Sequence, residues 1–150
     1  MKILDLSAGR RAIWFDKKNP LTTFLDKRPE VEPDFVCNTT DIPEEVGRDF
    51  DLLVFDPPHM NCGPGSNMSK TYGHHTYAEI LETIEGTAKE AHRVSKAGAL
   101  MAFKWNDHDV KLPRVLRLMP QWTPLFGHLT KDGPGSKTFW VMLKRVDEWR

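Results

Sequence analysis

The sequence is short of cysteine, of net charge and of long apolar runs, and each shortage removes a class of protein. Its 150 residues include two cysteines, Cys37 and Cys62. Two are too few for a disulfide framework, so a reducing, cytoplasmic setting is expected. No stretch approaches the roughly 20 apolar residues that cross a bilayer, so no membrane partner is expected. Lys plus Arg is 21 and Asp plus Glu is 21. Binding to nucleic acid by bulk charge is therefore unsupported, and only a local basic patch is left for it. There is no internal repeat and no low-complexity segment, which excludes solenoids and flexible arrays. A strand-like run begins at Lys2, so no signal peptide is expected ahead of the fold. The length suits one domain with a real core over 1–150 and does not suit two.

What is present is an alternation of short apolar runs with turn residues. Runs at 2–6, 21–25, 34–37, 50–55, 99–105, 122–129 and 137–145 read as strands. Segments 10–17 and 109–118 read as short helices, the first with Ile13 and Trp14 turned inward. Tyr77, Ile80, Leu81, Ile84, Ala88, Ala91 and Val94 share one helical face, which predicts a long amphipathic helix over 76–95. Between strand and helix, 60–75 is polar and rich in Gly, Ser and Asn, and is expected to be a functional or mobile loop. This order predicts an α/β protein whose sheet is mostly parallel with an antiparallel last strand. Right-handed crossovers then gather the loops after the strands on one edge. Six segments meet there: Ser7 to Gly9, Asp26, Asn38, Asp56 to His59, Trp105 to Asp107, and His128.

The most informative stretch is Asp56-Pro57-Pro58-His59. Proline has no N–H to give to a ladder, so the fourth strand stops there. Its acid is left at the carboxyl end, where open α/β sheets bind ligands. An acid capping the next turn is the plainer reading of the same residues. Asp26, at the end of the second strand, likewise has two readings. It is a carboxylate for both hydroxyls of a ribose, or a solvated loop acid beside Lys27 and Arg28.

From position 2 to about 145 this layout is similar to the class I S-adenosylmethionine-dependent methyltransferases, with their Rossmann-like sheet. Asp-Pro-Pro followed by a ring resembles the members that methylate exocyclic amino groups of adenine or cytosine. The phrases at 11–17, 55–59, 103–106 and 124–128 look like those of a small bacterial and phage-type subgroup. The resemblance implies S-adenosyl-L-methionine as cofactor, held by Asp5, Ser7, Ala8 and Gly9 at the first turn, by Asp26, by Asn38 and by Asp56. A second glycine is missing from that turn, where Arg10 follows Gly9, and Asn38 stands where the family usually has an acid. For the chemistry, the resemblance assigns catalysis to Asp56, Pro57 and His59. The Asp56 carboxylate and the Pro57 carbonyl would accept the two protons of a flat amino group, drawing its lone pair out of conjugation. His59 replaces the usual Tyr, Phe or Trp, and stacking, proton handling and loop packing are all open to it. Pro58, His59, Tyr72, His74, Asn106 and His128 are the substrate-side candidates. His74, His75 and Cys62 match no common zinc spacing, so no metal is expected.

The pattern provides few helices for one face of the sheet, and bare apolar surface of that kind is seldom left uncovered. A second copy of the chain, as a homodimer or other homo-oligomer, is the expected cover. The leading expectation for function is methyl transfer to an exocyclic amino nitrogen of a nucleobase, in DNA, RNA or a free nucleotide. The alternatives are a methyltransferase acting on a small molecule or protein, and a non-catalytic cofactor-binding subunit.

Overall fold

A computed structural model describes residues 1–59 and 75–148. Seven strands form one sheet: β1 (Ile3–Asp5), β2 (Thr22–Asp26), β3 (Phe35–Val36), β4 (Phe50–Phe55), β5 (Ser95–Asn106), β6 (Trp122–Gly133) and β7 (Ser136–Arg145). Their spatial order is β3-β2-β1-β4-β5-β7-β6. The first five are parallel, whereas β7 runs antiparallel between β5 and β6. The expected α/β sheet with a reversed last strand is therefore present. The order reverses between β1 and β4, which places the ligand-binding crevice of such a sheet at the carboxyl ends of those two strands.

Helix α1 (Tyr77–Val94) starts where its sequence says it should. The Thr76 hydroxyl accepts the Glu79 N–H at 3.2 Å and the Glu79 carboxylate accepts the Thr76 N–H at 2.8 Å, a reciprocal cap. Ile80, Ile84, Ala88, Ala91 and Val94 are buried from it against Leu4, Leu53, Phe55, Met101 and Phe103 of the sheet. Each of the Ile, Leu, Val, Met and Phe side chains contributes about 1.5–3 kcal/mol when fully buried, and each alanine less. The helix ends directly in β5, with Ser95 already extended. Gly98, at φ 75°, lies inside that strand, where the β4–β5 register jumps from Phe50↔Ser95 to Leu52↔Leu100. The second helix, α2 (Leu112–Leu116), is five residues long rather than ten, because Pro113 confines its start. Among the described residues, both helices lie on one face of the sheet.

Only a single 3-10 turn (Glu44–Val46), and no α-helix, links β3 to β4. That segment is fastened along α1 instead. Thr39 and Thr87 share a hydroxyl bond of 2.8 Å, and Arg93 holds the Ile42 carbonyl at 2.7 Å while pairing with Glu90 and Glu44. Ile42 and Val46 are thereby buried in the core.

The expected helix over 10–17 does not form, and Ile13 is exposed rather than inward. Arg11 takes a left-handed φ of 56°, which breaks any helix at its second residue. Its guanidinium bonds the Lys17 and Glu32 carbonyls and lies 3.9 Å over the Phe24 ring. Trp14 meets the same ring edge-on at 5.3 Å. Segment 10–20 is thus a chain of turns covering the β1–β2 half of the second face. Over the other half of that face, Leu52, Leu100, Ala102, Trp140 and Met142 are only half-buried, and Phe126 is 69% exposed. No helix among the described residues is long and apolar enough to cross a membrane.

Candidate active site

Local hydrogen bonds bring the first turn and the end of β4 together. The Leu6 N–H bonds the Val54 carbonyl and the Ala8 N–H bonds the Leu25 carbonyl, each at 2.9 Å, so the Ser7-to-Gly9 turn is suspended between β4 and β2. The Ser7 hydroxyl accepts the Asp56 N–H at 2.7 Å. Gly9 sits at φ 50° and donates its N–H to Asp26 at 2.8 Å. A side chain there would be strained and would meet the Arg28 guanidinium at 3.4 Å, so the position calls for glycine.

Three carboxylates stand behind this turn, each in a different state. Asp5 is enclosed: one oxygen accepts the Ser7 N–H at 3.0 Å and the other the Trp14 indole N–H at 2.7 Å. Burial pushes its carboxyl up to about 6, against the pull of those two bonds, and nearby Asp56 and Asp26 push the same way. Asp5 organises the turn from below. Asp26 is also buried, but burial is outweighed there by the Arg28 guanidinium and the Arg28 and Gly9 N–H groups, which hold its carboxyl below the usual range. Asp56 is partly open and pairs with the Lys104 ammonium at 2.9 Å.

Continuing the β4–β5–β7–β6 ladder one step past Phe55↔Phe103 sets Asp56, Lys104, Trp140 and His128 in one cross-strand row. The Lys104 ammonium is 6.0 Å from the centre of the Trp140 indole. Pro57 is buried. The His59 ring donates to the Pro57 carbonyl and meets Trp105 edge-on at 6.1 Å. Burial lowers the His59 pKa, with Asp56 and that carbonyl acting in opposition. Half-buried Pro58 lies beside them.

The remaining candidates are more scattered. Asn38 is exposed, bonds the Thr40 N–H at 3.1 Å, and lines a groove of about 320 Å³ with Thr40, Glu79, Glu82, Thr83 and Gly86. Both ends of the Asn106 amide are engaged, by the Thr138 hydroxyl at 2.9 Å and the His108 N–H at 3.1 Å. His128 is exposed on β6, opposite Trp140. Tyr72 and His74, together with Cys62 and the rest of the loop expected over 60–75 up to position 74, lie outside the described residues.

Sequence reasoning missed four participants: Trp14, Arg28, Lys104 and Trp140. Arg28 carried a signal, standing two residues after an acid that ends a strand. The others had none, since each meets its partner only through strand register or a long-range turn.

No family model matches this sequence, and no curated protein does so either. Solved structures do. The chain is similar to the N-methyltransferase NodS from Bradyrhizobium japonicum WM9, with 10% identity and a TM-score of 0.65, covering 97% of this chain and 86% of that one. It is also similar to the 1,6-didemethyltoxoflavin-N1-methyltransferase of Burkholderia thailandensis, solved with 1,6-didemethyltoxoflavin and S-adenosylhomocysteine bound. There the identity is 12% and the TM-score 0.62, over 97% of this chain and 71% of that one. An rRNA methylase from Streptococcus thermophilus matches with 10% identity and a TM-score of 0.56, over 97% and 86% of the two chains. At such identities the likeness is one of fold, and the fold is that of the class I S-adenosylmethionine-dependent methyltransferases.

Proposed function

We propose that this chain is an S-adenosyl-L-methionine-dependent methyltransferase that delivers a methyl group to a nitrogen atom of a small acceptor. The observation that carries the reading is the Ser7–Asp56 bond. It ties the turn that would carry the cofactor to the acid that would meet the acceptor, at the point where the strand order reverses. The residues present fit the cofactor: a turn that calls for glycine at Gly9 and an ionised, buried acid at Asp26 suited to a ribose diol. When bound, the cofactor supplies an electrophilic methyl on a sulfonium. Asp56 would orient the acceptor nitrogen and take up the proton that nitrogen releases on methylation, while Lys104 holds the carboxylate in place.

The small-acceptor reading is favoured over the nucleobase reading by the similar folds. Two of the similar folds are N-methyltransferases, and one of those was solved with a small heterocycle. Methylation of a nucleobase amine is the second reading. It is favoured by the position of Asp56-Pro57-Pro58 at the end of β4 and by the cation and indole beside it. A methyl-transfer screen with labelled cofactor decides between them, with nucleotides, DNA, RNA and a small-metabolite fraction as separate arms. Label entering only the metabolite fraction is the expected result, and label entering only nucleic acid reverses the order. Assembly is part of the same proposal: a second copy covers Leu100, Met142 and Phe126, and light scattering that gives a monomer at micromolar concentration removes it.

A further inference from the structure

The Asp26 carboxylate has four donors on its two oxygens. Oδ2 accepts the Gly9 N–H at 2.8 Å and Arg28 Nη2 at 3.1 Å, and Oδ1 accepts the Arg28 N–H at 2.9 Å and Arg28 Nε at 3.0 Å. A carboxylate has about four lone-pair positions, so this one is saturated. The donors fall into two kinds. The Gly9 and Arg28 amides belong to the backbone and stay with the fold. The other two are the fork of one side chain, 24% exposed, while the acid it covers is 7% exposed. The guanidinium also lies over the Gly9 turn, where a Cβ would meet Nη2 at 3.4 Å.

A ribose 2′,3′-diol offers two O–H donors from adjacent carbons. The Nε and Nη2 groups of Arg28 offer two N–H donors in a planar fork of similar reach. We infer that the Arg28 side chain is an internal stand-in for the ribose diol: it occupies the nucleoside position of this site and must leave Asp26 before a nucleoside docks. The inference rests on the methyltransferase reading only for the identity of the nucleoside. The two backbone donors remain after the exchange, so the acid stays oriented throughout. Arg28 is thereby a specificity-determining residue that lowers affinity. The exchange favours ligands presenting both hydroxyls, because a 2′-deoxyribose replaces one of the two lost bonds and leaves the other unmade.

The test is equilibrium binding of S-adenosylhomocysteine, read by calorimetry, with circular dichroism to confirm folding. Arg28→Gln and Arg28→Ala are expected to bind it about tenfold more tightly than the parent, the size of effect expected when a competing charge-assisted bond is removed. Raising salt weakens the internal ion pair, so parental affinity is expected to rise with ionic strength and to do so less in the variants. The 2′-deoxy analogue is expected to bind the parent more weakly than the ribose form. Folded variants that bind no better than the parent overturn the stand-in role while leaving the methyltransferase reading intact. If neither the parent nor the folded variants bind S-adenosylhomocysteine, both readings fall.

Discussion

The Lys104 ammonium lies 2.9 Å from the Asp56 carboxylate, bridging the carboxyl-terminal ends of two neighbouring parallel strands. Both groups are partly exposed, at 28% and 24%, so the pair is a weak contributor to stability and a strong determinant of where the acid points. With the Ser7 hydroxyl on the Asp56 amide, the side chain and the backbone of this residue are both restrained. Under the proposed function, an acid held in this way is preorganised for the acceptor.

Asp56→Ala is expected to lower methyl transfer by about 10²–10³-fold, the range for losing one preorganised polar group at a reacting centre. The affinity for S-adenosylhomocysteine is expected to stay within about threefold of the parent, too small a change to count as a lost contact. Single-turnover transfer and calorimetry on the same preparation check the two halves separately. Parental transfer by the variant removes Asp56 from the chemistry.

Asp5 predicts an unusual pH dependence of stability. Its carboxyl titrates at about 6 in the folded chain and at 3.8 ordinarily. Between those values the native state binds the extra proton, so this site's contribution is greatest below the lower value. It declines as pH rises through the window and is flat above about 6. The difference corresponds to at most about 3 kcal/mol. Asp26 has the opposite sign, because its folded pKa is lowered, and its contribution is lost only at more acidic pH. Urea unfolding at several pH values is expected to show the parent gaining stability from neutrality towards pH 5, with Asp5→Asn losing that slope.

Trp14→Phe keeps a ring against Phe24 and removes only the indole donor to Asp5. Leaving a buried carboxylate oxygen without that bond costs about 1–3 kcal/mol. A lower denaturation midpoint at neutral pH is expected, with a smaller deficit in acid, where the carboxyl is protonated. An equal loss at both pH values would show that Trp14 acts by packing alone.

Gly127→Ala tests the terminal hairpin. A Cβ at Gly127 would lie 2.9 Å from the Trp140 carbonyl, a backbone atom that cannot step aside without parting β6 from β7. A loss of about 1–3 kcal/mol is expected, as for other forced overpacking. Thermal unfolding measures it. Because Trp140 belongs to the Asp56–Lys104 row, transfer activity is expected to fall further than stability does.

Much of the fold was legible in the chain because it rests on local rules. Seven apolar runs became seven strands, and the cap at Thr76 and Glu79 with its apolar stripe became α1. The failures have long-range causes. Segment 10–17 has a helix-like composition, yet Arg11 gains more from the Lys17 and Glu32 carbonyls and the Phe24 ring than from another turn of helix. A helix of that length has little intrinsic stability to resist such competition.

The chain's own pattern was enough to establish an α/β sheet with acids at the ends of β1, β2 and β4, since periodicity and strand-ending residues act over a few positions. Which donor each acid meets was settled by folding. Asp5 took Trp14, Asp26 took the Gly9 amide with its neighbour Arg28, and Asp56 took Lys104. Apart from Arg28, these partners come from register and crossing segments, 9 to 48 residues away, and no local pattern encodes them. The state of each carboxylate depends on burial and on the donors around it, and both come into being only when the strands are laid side by side.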